Sequence, residues 1–156
     1  MNTPAGVVVR VVDPRTDAAQ WARLRKLLWP EEEGVADPDA LAAALAPAAV
    51  SHVVLAAASG GPAIGFAEAK LRSDYVNGTE TSPVGFLEGW FVDPAWRGRG
   101  VGRAMLYALE DWARERGCTE FASDALLDNV SSHAAHRACG FEETERVVYF
   151  RKSLAR

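Results

Sequence analysis

The sequence predicts one mixed α/β domain, and three observations carry that expectation. The chain has 156 residues, the size of one domain with a core of its own. Its composition, 49% hydrophobic and 24% charged, is that of an ordinary globular protein. Short apolar runs of strand character alternate with segments whose apolar residues recur at helical spacing, and no repeat or low-complexity linker divides them.

Val7 to Val12 is a valine run broken only by Arg10, which suits a strand. From Asp17 the period changes, with Trp21, Leu24, Leu27 and Leu28 at helical spacing until Pro30 stops the helix. Glu31 to Asp37 is a polar loop, and a short helix follows with Asp37 as N-cap, Pro38 at the first helical position and Leu41 and Leu45 inward. Val53 to Ala57 and Ile64 to Leu71 read as a hairpin turned at Gly60-Gly61-Pro62. Asp74 to Pro83 is a turn-rich loop around Asn77-Gly78. Phe86 to Val92 is a strand in which Gly89 predicts a bulge. Val101 to Gly117 is a helix with Val101, Met105, Ala108 and Trp112 on one face. A short strand over Glu120 to Ala125, a helix from Ser131 to Cys139 closed by Gly140-Phe141, and a last strand over Val147 to Leu154 complete the order.

Charge and composition narrow the function. A formal net charge of −4 speaks against a nucleic-acid partner, because phosphate binding needs a basic footprint. Cys118 and Cys139 form no Cys-x-x-Cys or Cys/His ligand pattern, and they read as two reduced thiols of a cytoplasmic protein. No apolar run reaches membrane-span length, and the first residues carry no export signal. His133 and His136 suggest a metal pair only on spacing, and without a third ligand no metal is expected.

The most informative stretch runs from Trp90 to Arg103. A strand ends at Asp93-Pro94, and Arg97-Gly98-Arg99-Gly100-Val101-Gly102 opens a long amphipathic helix. Glycines let successive backbone N–H groups face one anion, and the helix N-terminus adds partial positive charge. Arg97, Arg99 and Arg103 add cations suited to phosphate. There is no Gly-Lys-Ser/Thr, and no Gly-x-Gly-x-x-Gly after an early strand, so neither a triphosphate loop nor a dinucleotide fold fits.

The remaining pattern, Arg97-x-x-Gly100-x-Gly102, resembles motif A of the GNAT superfamily of N-acetyltransferases. Asn129 ahead of a late helix and Gly140-Phe141 at its end resemble the same superfamily, although Asn129 also reads as a simple N-cap. The resemblance implies the GNAT fold, a mixed and mostly antiparallel sheet of six or seven strands flanked by about four helices, as a single domain over residues 1–156. It also implies acetyl-CoA as co-substrate, bound by the backbone of Trp90, Phe91 and Val92, by the loop Gly98 to Arg103 and by Asn129.

A narrower likeness covers the second half. Leu28-Trp29-Pro30, Asp74-Tyr75-Val76-Asn77-Gly78-Thr79-Glu80, Phe86-Leu87-Glu88-Gly89, Ala122-Ser123-Asp124 and Gly140 to Val147 are similar to the bacterial aminoglycoside 6′-N-acetyltransferases. This implies acetylation of an aminoglycoside amine, antibiotic resistance and a homodimer. It sets Trp29, Tyr75, Glu88, Asp124 and Glu145 at the acceptor. Trp90 replaces a smaller aliphatic residue of that family, and Tyr149-Phe150 reverses its Phe-Tyr order.

The chemistry of the residues agrees. A polycation needs carboxylates, and a carboxylate inside an apolar strand, as Glu88 is, is costly unless it meets water or a cation. The alternative for Glu88 is a salt bridge to a nearby arginine, and for Asp124 a turn or capping role. We expect Glu88, with Asp124, to hold the ammonium and accept its proton, and a backbone N–H around Phe91 to bond the thioester oxygen. Many superfamily members place a tyrosine general acid where His136 stands, and Tyr149 is a second candidate donor. Two rival readings remain. One is acetylation of another amine, such as a polyamine or protein N-terminus. The other is a non-catalytic protein that binds acetyl-CoA or an aminoglycoside.

Overall fold

The computed structural model describes residues 3–34, 37–45 and 47–156. Contacts divide the chain into two compact units, residues 1–123 and 124–156.

The first unit is built on a five-stranded sheet in the order β1-β2-β3-β4-β5. Strand β1 (Val7–Val11) pairs antiparallel with β2 (Ser51–Ala58). Strands β2 and β3 (Ala63–Arg72) form the expected hairpin, and β3 pairs antiparallel with β4 (Val84–Val92). Strand β5 (Phe121–Ala122) runs parallel to β4. The sheet is therefore mixed and mostly antiparallel, as expected.

Helix α1 (Ala18–Leu28) covers one face. Trp21 and Leu24 bury their side chains there against Val53, Leu55, Phe66 and Phe91. The short α2 (Pro38–Ala44) is capped as the sequence predicts, with the Asp37 carboxylate accepting from the N–H of Asp39 and Ala40. Of the polar loop before it, Val35 and Ala36 lie outside the described residues. Helix α3 (Val101–Glu115) packs on the other face through Val101, Met105, Leu106, Leu109, Trp112 and Ala113. Leu109, fully buried, takes the inward place expected of the half-buried Ala108. A leucine buries more apolar area than an alanine at the edge of the stripe. Gly117, at φ +81, ends α3 with Gly117 N–H on Arg114 C=O and Cys118 N–H on Ala113 C=O, a Schellman closure.

In the second unit, α4 (Val130–Ala138) ends in the same closure. Gly140 N–H bonds Arg137 C=O, Phe141 N–H bonds His136 C=O, and the Phe141 ring meets His136 edge-on at 5.0 Å. This adds a second bond to the αL cap expected there.

Two expected strands differ. Glu120 to Ala125 shortens to Phe121–Ala122. Val147 to Leu154 forms no strand, and residues 142–156 are exposed with neither helix nor strand. A strand exists only with a ladder partner, and among the described residues this segment has none. The count is accordingly five strands, not six or seven.

Candidate active site

The site grows from an irregularity in β4. Glu68 of β3 pairs with Gly89, but Ala69 pairs with Leu87, so Glu88 is the extra residue of a bulge. The sequence placed this bulge at Gly89, one residue on. A bulge re-aims the side chains beside it. Glu88 reaches Arg72, whose guanidinium donates to both carboxylate oxygens at 3.0 and 3.1 Å and lies 3.5 Å over the Phe86 ring. A Cβ on Gly89 would meet the Trp29 indole at 2.6 Å. Glycine there lets Trp29, the C-cap of α1, lie directly on the strand beside Glu88. The salt bridge that the sequence held as an alternative for Glu88 is thus present. Both partners are partly exposed, Glu88 by 24% and Arg72 by 42%, so the pair is worth about 0.2–1 kcal/mol and yields easily to a stronger cation.

Next to Arg72 the chain opens a cavity of about 310 Å³ lined by Leu71, Arg72, Ser73, Asp74, Tyr75 and Val76. Tyr75 is 75% exposed at its rim. Trp29, Glu88 and the Tyr75 loop are therefore brought to one region of the first unit.

Sequence reasoning missed a buried ion pair beneath Trp29. Glu68, 9% exposed, accepts from Trp21 Nε1 at 2.7 Å and from Arg25. The Arg25 guanidinium in turn lies 4.7 Å from the Trp29 ring centroid. The signal was available. Glu68 is a carboxylate in a buried strand run, the same anomaly that singled out Glu88.

At the far end of β4, the strand edge is open. Strand β5 pairs only with Gly85 and Phe86, so Leu87 to Val92 have no strand on that side among the described residues. Asp93 N–H donates to Ile64 C=O on β3. Strand alternation then turns Phe91 toward β3 as well, and turns the backbone groups of Trp90 and Val92 to the open edge. Of the backbone N–H groups around Phe91, those of Trp90 and Val92 therefore face the edge and that of Phe91 faces β3.

The glycine loop follows a single 3₁₀ turn over Pro94–Trp96. Gly98 (φ +74) and Gly100 (φ +86) are left-handed, a conformation other residues adopt at a cost of about 1–2 kcal/mol. A Cβ on Gly98 would meet nothing within 4 Å, so backbone geometry, not crowding, requires glycine there. Gly100 is the N-cap of α3 and supplies no side-chain cap, leaving the first-turn N–H groups for an anion. Arg99 sits over Trp96 at 5.0 Å from the ring centroid. Arg97 departs from expectation in part: its Nε donates to Val92 C=O at 2.8 Å and its guanidinium lies over Phe91, bracing the strand end. Trp90 Nε1 donates to Gly102 C=O at 3.0 Å, and a Cβ on Gly102 would stand 3.2 Å from the indole. The bulk of Trp90 is thus matched by a glycine in the facing helix turn.

In the second unit, Asp124 and Glu145 are exposed. Asn129 is the N-cap of α4, its side chain accepting from Ser132 N–H at 3.2 Å. His136 Nδ1 lies 2.7 Å from Ser132 C=O and 3.3 Å from Ser132 Oγ, so that ring nitrogen is turned to its own helix. Tyr149 is 84% exposed in the C-terminal segment. His133 Nε2 lies 2.9 Å from Leu126 C=O, and among the described residues no three His, Cys, Asp or Glu gather to hold a metal.

Comparison with known proteins shows the family. Residues 19–141 match the model of the Acetyltransferase (GNAT) family. The chain belongs to the GNAT acetyltransferases. Among relatives of this GNAT protein, an aminoglycoside N(6′)-acetyltransferase type 1 of Stenotrophomonas maltophilia is 60% identical over 139 residues, 88% of each chain. A protein of the same name from Acinetobacter baumannii is 48% identical over 87% of this chain and 92% of its own. The crystal structure of aminoglycoside antibiotic 6′-N-acetyltransferase AAC(6′)-Ih from Acinetobacter baumannii superposes with a TM-score of 0.87 at 44% identity, over 96% of this chain and all of that one. AAC(6′)-Iy in complex with the bisubstrate analogue CoA-S-monomethyl-acetylneamine gives 0.83 at 42% identity, over 94% and 98%.

Proposed function

We propose that this GNAT protein is an aminoglycoside 6′-N-acetyltransferase that passes the acetyl group of acetyl-CoA directly to the 6′-amine. The observation that carries the reading is the β4 bulge. One residue, Glu88, is turned out beside Trp29 and the Tyr75 cavity, at the start of an open strand edge that leads to the glycine loop.

Acetyl-CoA, when bound, supplies an activated thioester. The residues present fit it: first-turn N–H groups left uncapped at Gly100, left-handed Gly98 and Gly100, and exposed Arg99 and Arg103 suit a pyrophosphate. The edge of Trp90 to Val92 and the side chain of Asn129 suit the pantetheine amides. A Trp90 or Val92 N–H is placed to stabilise negative charge on the thioester oxygen. At the acceptor, an amine of pKa about 10.4 is neutral in only about one molecule in a thousand near pH 7. Glu88 holds that ammonium, displacing Arg72, and takes its proton directly or through water. Trp29 and Tyr75 flank the sugar, and Asp124 and Glu145 add carboxylates. His136 or Tyr149 returns a proton to the leaving thiolate.

The same reading extends to the whole protein. The family match crosses from one unit to the other, which supports a single domain. Exposed Val147, Val148, Tyr149, Phe150 and Leu154 support a homodimer, with a second copy covering the C-terminal segment. No described helix is long and apolar enough to cross a membrane, and the cysteine spacing supports a cytoplasmic location. Antibiotic resistance follows if the acceptor is the drug.

Thiol release from acetyl-CoA, followed spectrophotometrically with kanamycin or tobramycin, tests the function. Turnover is expected with these and not with an aminoglycoside carrying a hydroxyl at 6′. Equal turnover of the hydroxyl compound, or none with any aminoglycoside, refutes the assignment.

A further inference from the structure

The loop that displays Tyr75 is held by a carboxylate from the segment just before β5. We propose that Glu120 is a positioning residue for acceptor binding, acting through the loop 73–83 on Tyr75. This rests on the reading of Tyr75 as an acceptor contact.

Tyr75 is 75% exposed, so the packing of its ring does not fix its direction, and the backbone around it must. Three ties restrain that backbone. Val76 is buried against Val84, Phe86 and Ala122. Its carbonyl accepts both Thr79 N–H and Thr79 Oγ1, closing a turn over Gly78 at φ +82. Ser82 Oγ donates to Ser73 C=O at 2.8 Å and joins the two ends of the loop. The third tie is Glu120. Its Oε1 accepts Glu80 N–H at 2.9 Å, Thr81 N–H at 2.7 Å and the Thr81 hydroxyl. Glu120 is itself fixed, because its carbonyl accepts Gly85 N–H immediately before β5. The three donors hold its carboxyl below the usual carboxylate range, so it is an ionised acceptor at neutral pH.

Without this tie the returning arm of the loop is left to its own chain entropy, and Tyr75 samples more than one direction. All three bonds fall on one oxygen, and a glutamine amide oxygen accepts the same backbone N–H groups. A shorter aspartate side chain does not reach them. The proposal therefore predicts an order, Glu ≈ Gln, then Asp and Ala.

Glu120→Ala and Glu120→Asp are expected to raise KM for kanamycin by about tenfold, since misplacement of a positioning group costs 10–100-fold. Glu120→Gln should stay within about twofold of the parent. Affinity for acetyl-CoA should not move. In a Tyr75→Ala background the Glu120→Ala penalty should largely vanish, because coupled residues are non-additive. Hydrogen exchange at the Glu80 and Thr81 amides should quicken in the alanine variant and not in the glutamine one. An unchanged KM in Glu120→Ala overturns the proposal, as does a full penalty persisting without Tyr75. A glutamine variant as poor as alanine also overturns it, showing that charge acts on the cation directly. A parent that turns over no aminoglycoside removes the acceptor reading, and protected Glu80 and Thr81 amides would then leave Glu120 as a loop anchor only.

Discussion

Glu88 already has a cation in Arg72, and the strength of that pair decides what the site can do. A partly exposed ion pair holds about 0.2–1 kcal/mol, a small cost for the proposed acceptor ammonium to displace. Glu88→Ala is expected to raise the aminoglycoside KM by about tenfold or more, on the order of 1.4 kcal/mol, while calorimetric affinity for acetyl-CoA stays unchanged; equal loss of both would refute the assignment. Asp17 is the contrasting case of a structural carboxylate. It is 3% exposed, bonded by Arg10 at 2.5 and 2.7 Å and by Asp13 N–H at 2.7 Å. The Arg10 guanidinium, above all, holds its carboxyl below the ordinary value of 3.8, against a smaller upward push from burial. A depressed folded pKa means stability that is present above the unfolded value and lost as pH falls through the folded one. Asp17→Asn should therefore cost about 2 kcal/mol at pH 7. That gap to the parent should close as acid protonates Asp17, as read by urea unfolding at neutral and acid pH.

At the scale of elements, β4 carries two local irregularities, and the proposed function assigns a ligand to each. The bulge at Glu88 opens one face of β4 to Trp29 and Arg72. Past it, the brevity of β5 leaves the edge of Trp90 to Val92 without a strand neighbour among the described residues. The loop beyond depends on left-handed glycines. Gly100→Val introduces a β-branched side chain at φ +86 and puts bulk where Pro4 already stands 3.6 Å from the Cβ position. It is expected to weaken acetyl-CoA binding at least tenfold, as strain of about 1–2 kcal/mol at that residue implies. The aminoglycoside Kd should be retained, and unchanged coenzyme affinity would count against the cradle.

For the whole molecule, the C-terminal segment carries the largest exposed apolar side chains. Phe150 is 92% exposed and Tyr149 84%, an exposure that soluble chains avoid unless a partner covers it. If the proposed homodimer forms through this segment, deleting residues 147–156 converts it to a monomer in light scattering; a parent that is already monomeric would exclude the second copy as the cover.

Much of this was legible in the chain itself. The periods of α1, α3 and α4, the Asp37 cap, the Gly117 and Gly140 helix ends and the β2–β3 turn are set by local chemistry, within a few residues of where they act. So is the glycine loop, since φ > 0 is a property of one residue. The pairing of Glu88 with Arg72, the ion pair of Glu68 with Arg25 and the grip of Glu120 on the Tyr75 loop were not legible. They join residues 16, 43 and about 40 positions apart, and only the β4 bulge, the packing of α1 on the sheet and the placing of the loops beside β5 bring them together. A one-residue shift of register turns side chains to the opposite face. Sequence by itself therefore determined which residues can bind a phosphate, hold a cation or end a helix. Tertiary structure alone decided which charges meet, which strand edge stays open, and that the last apolar segment goes without a strand partner among the described residues of its own chain.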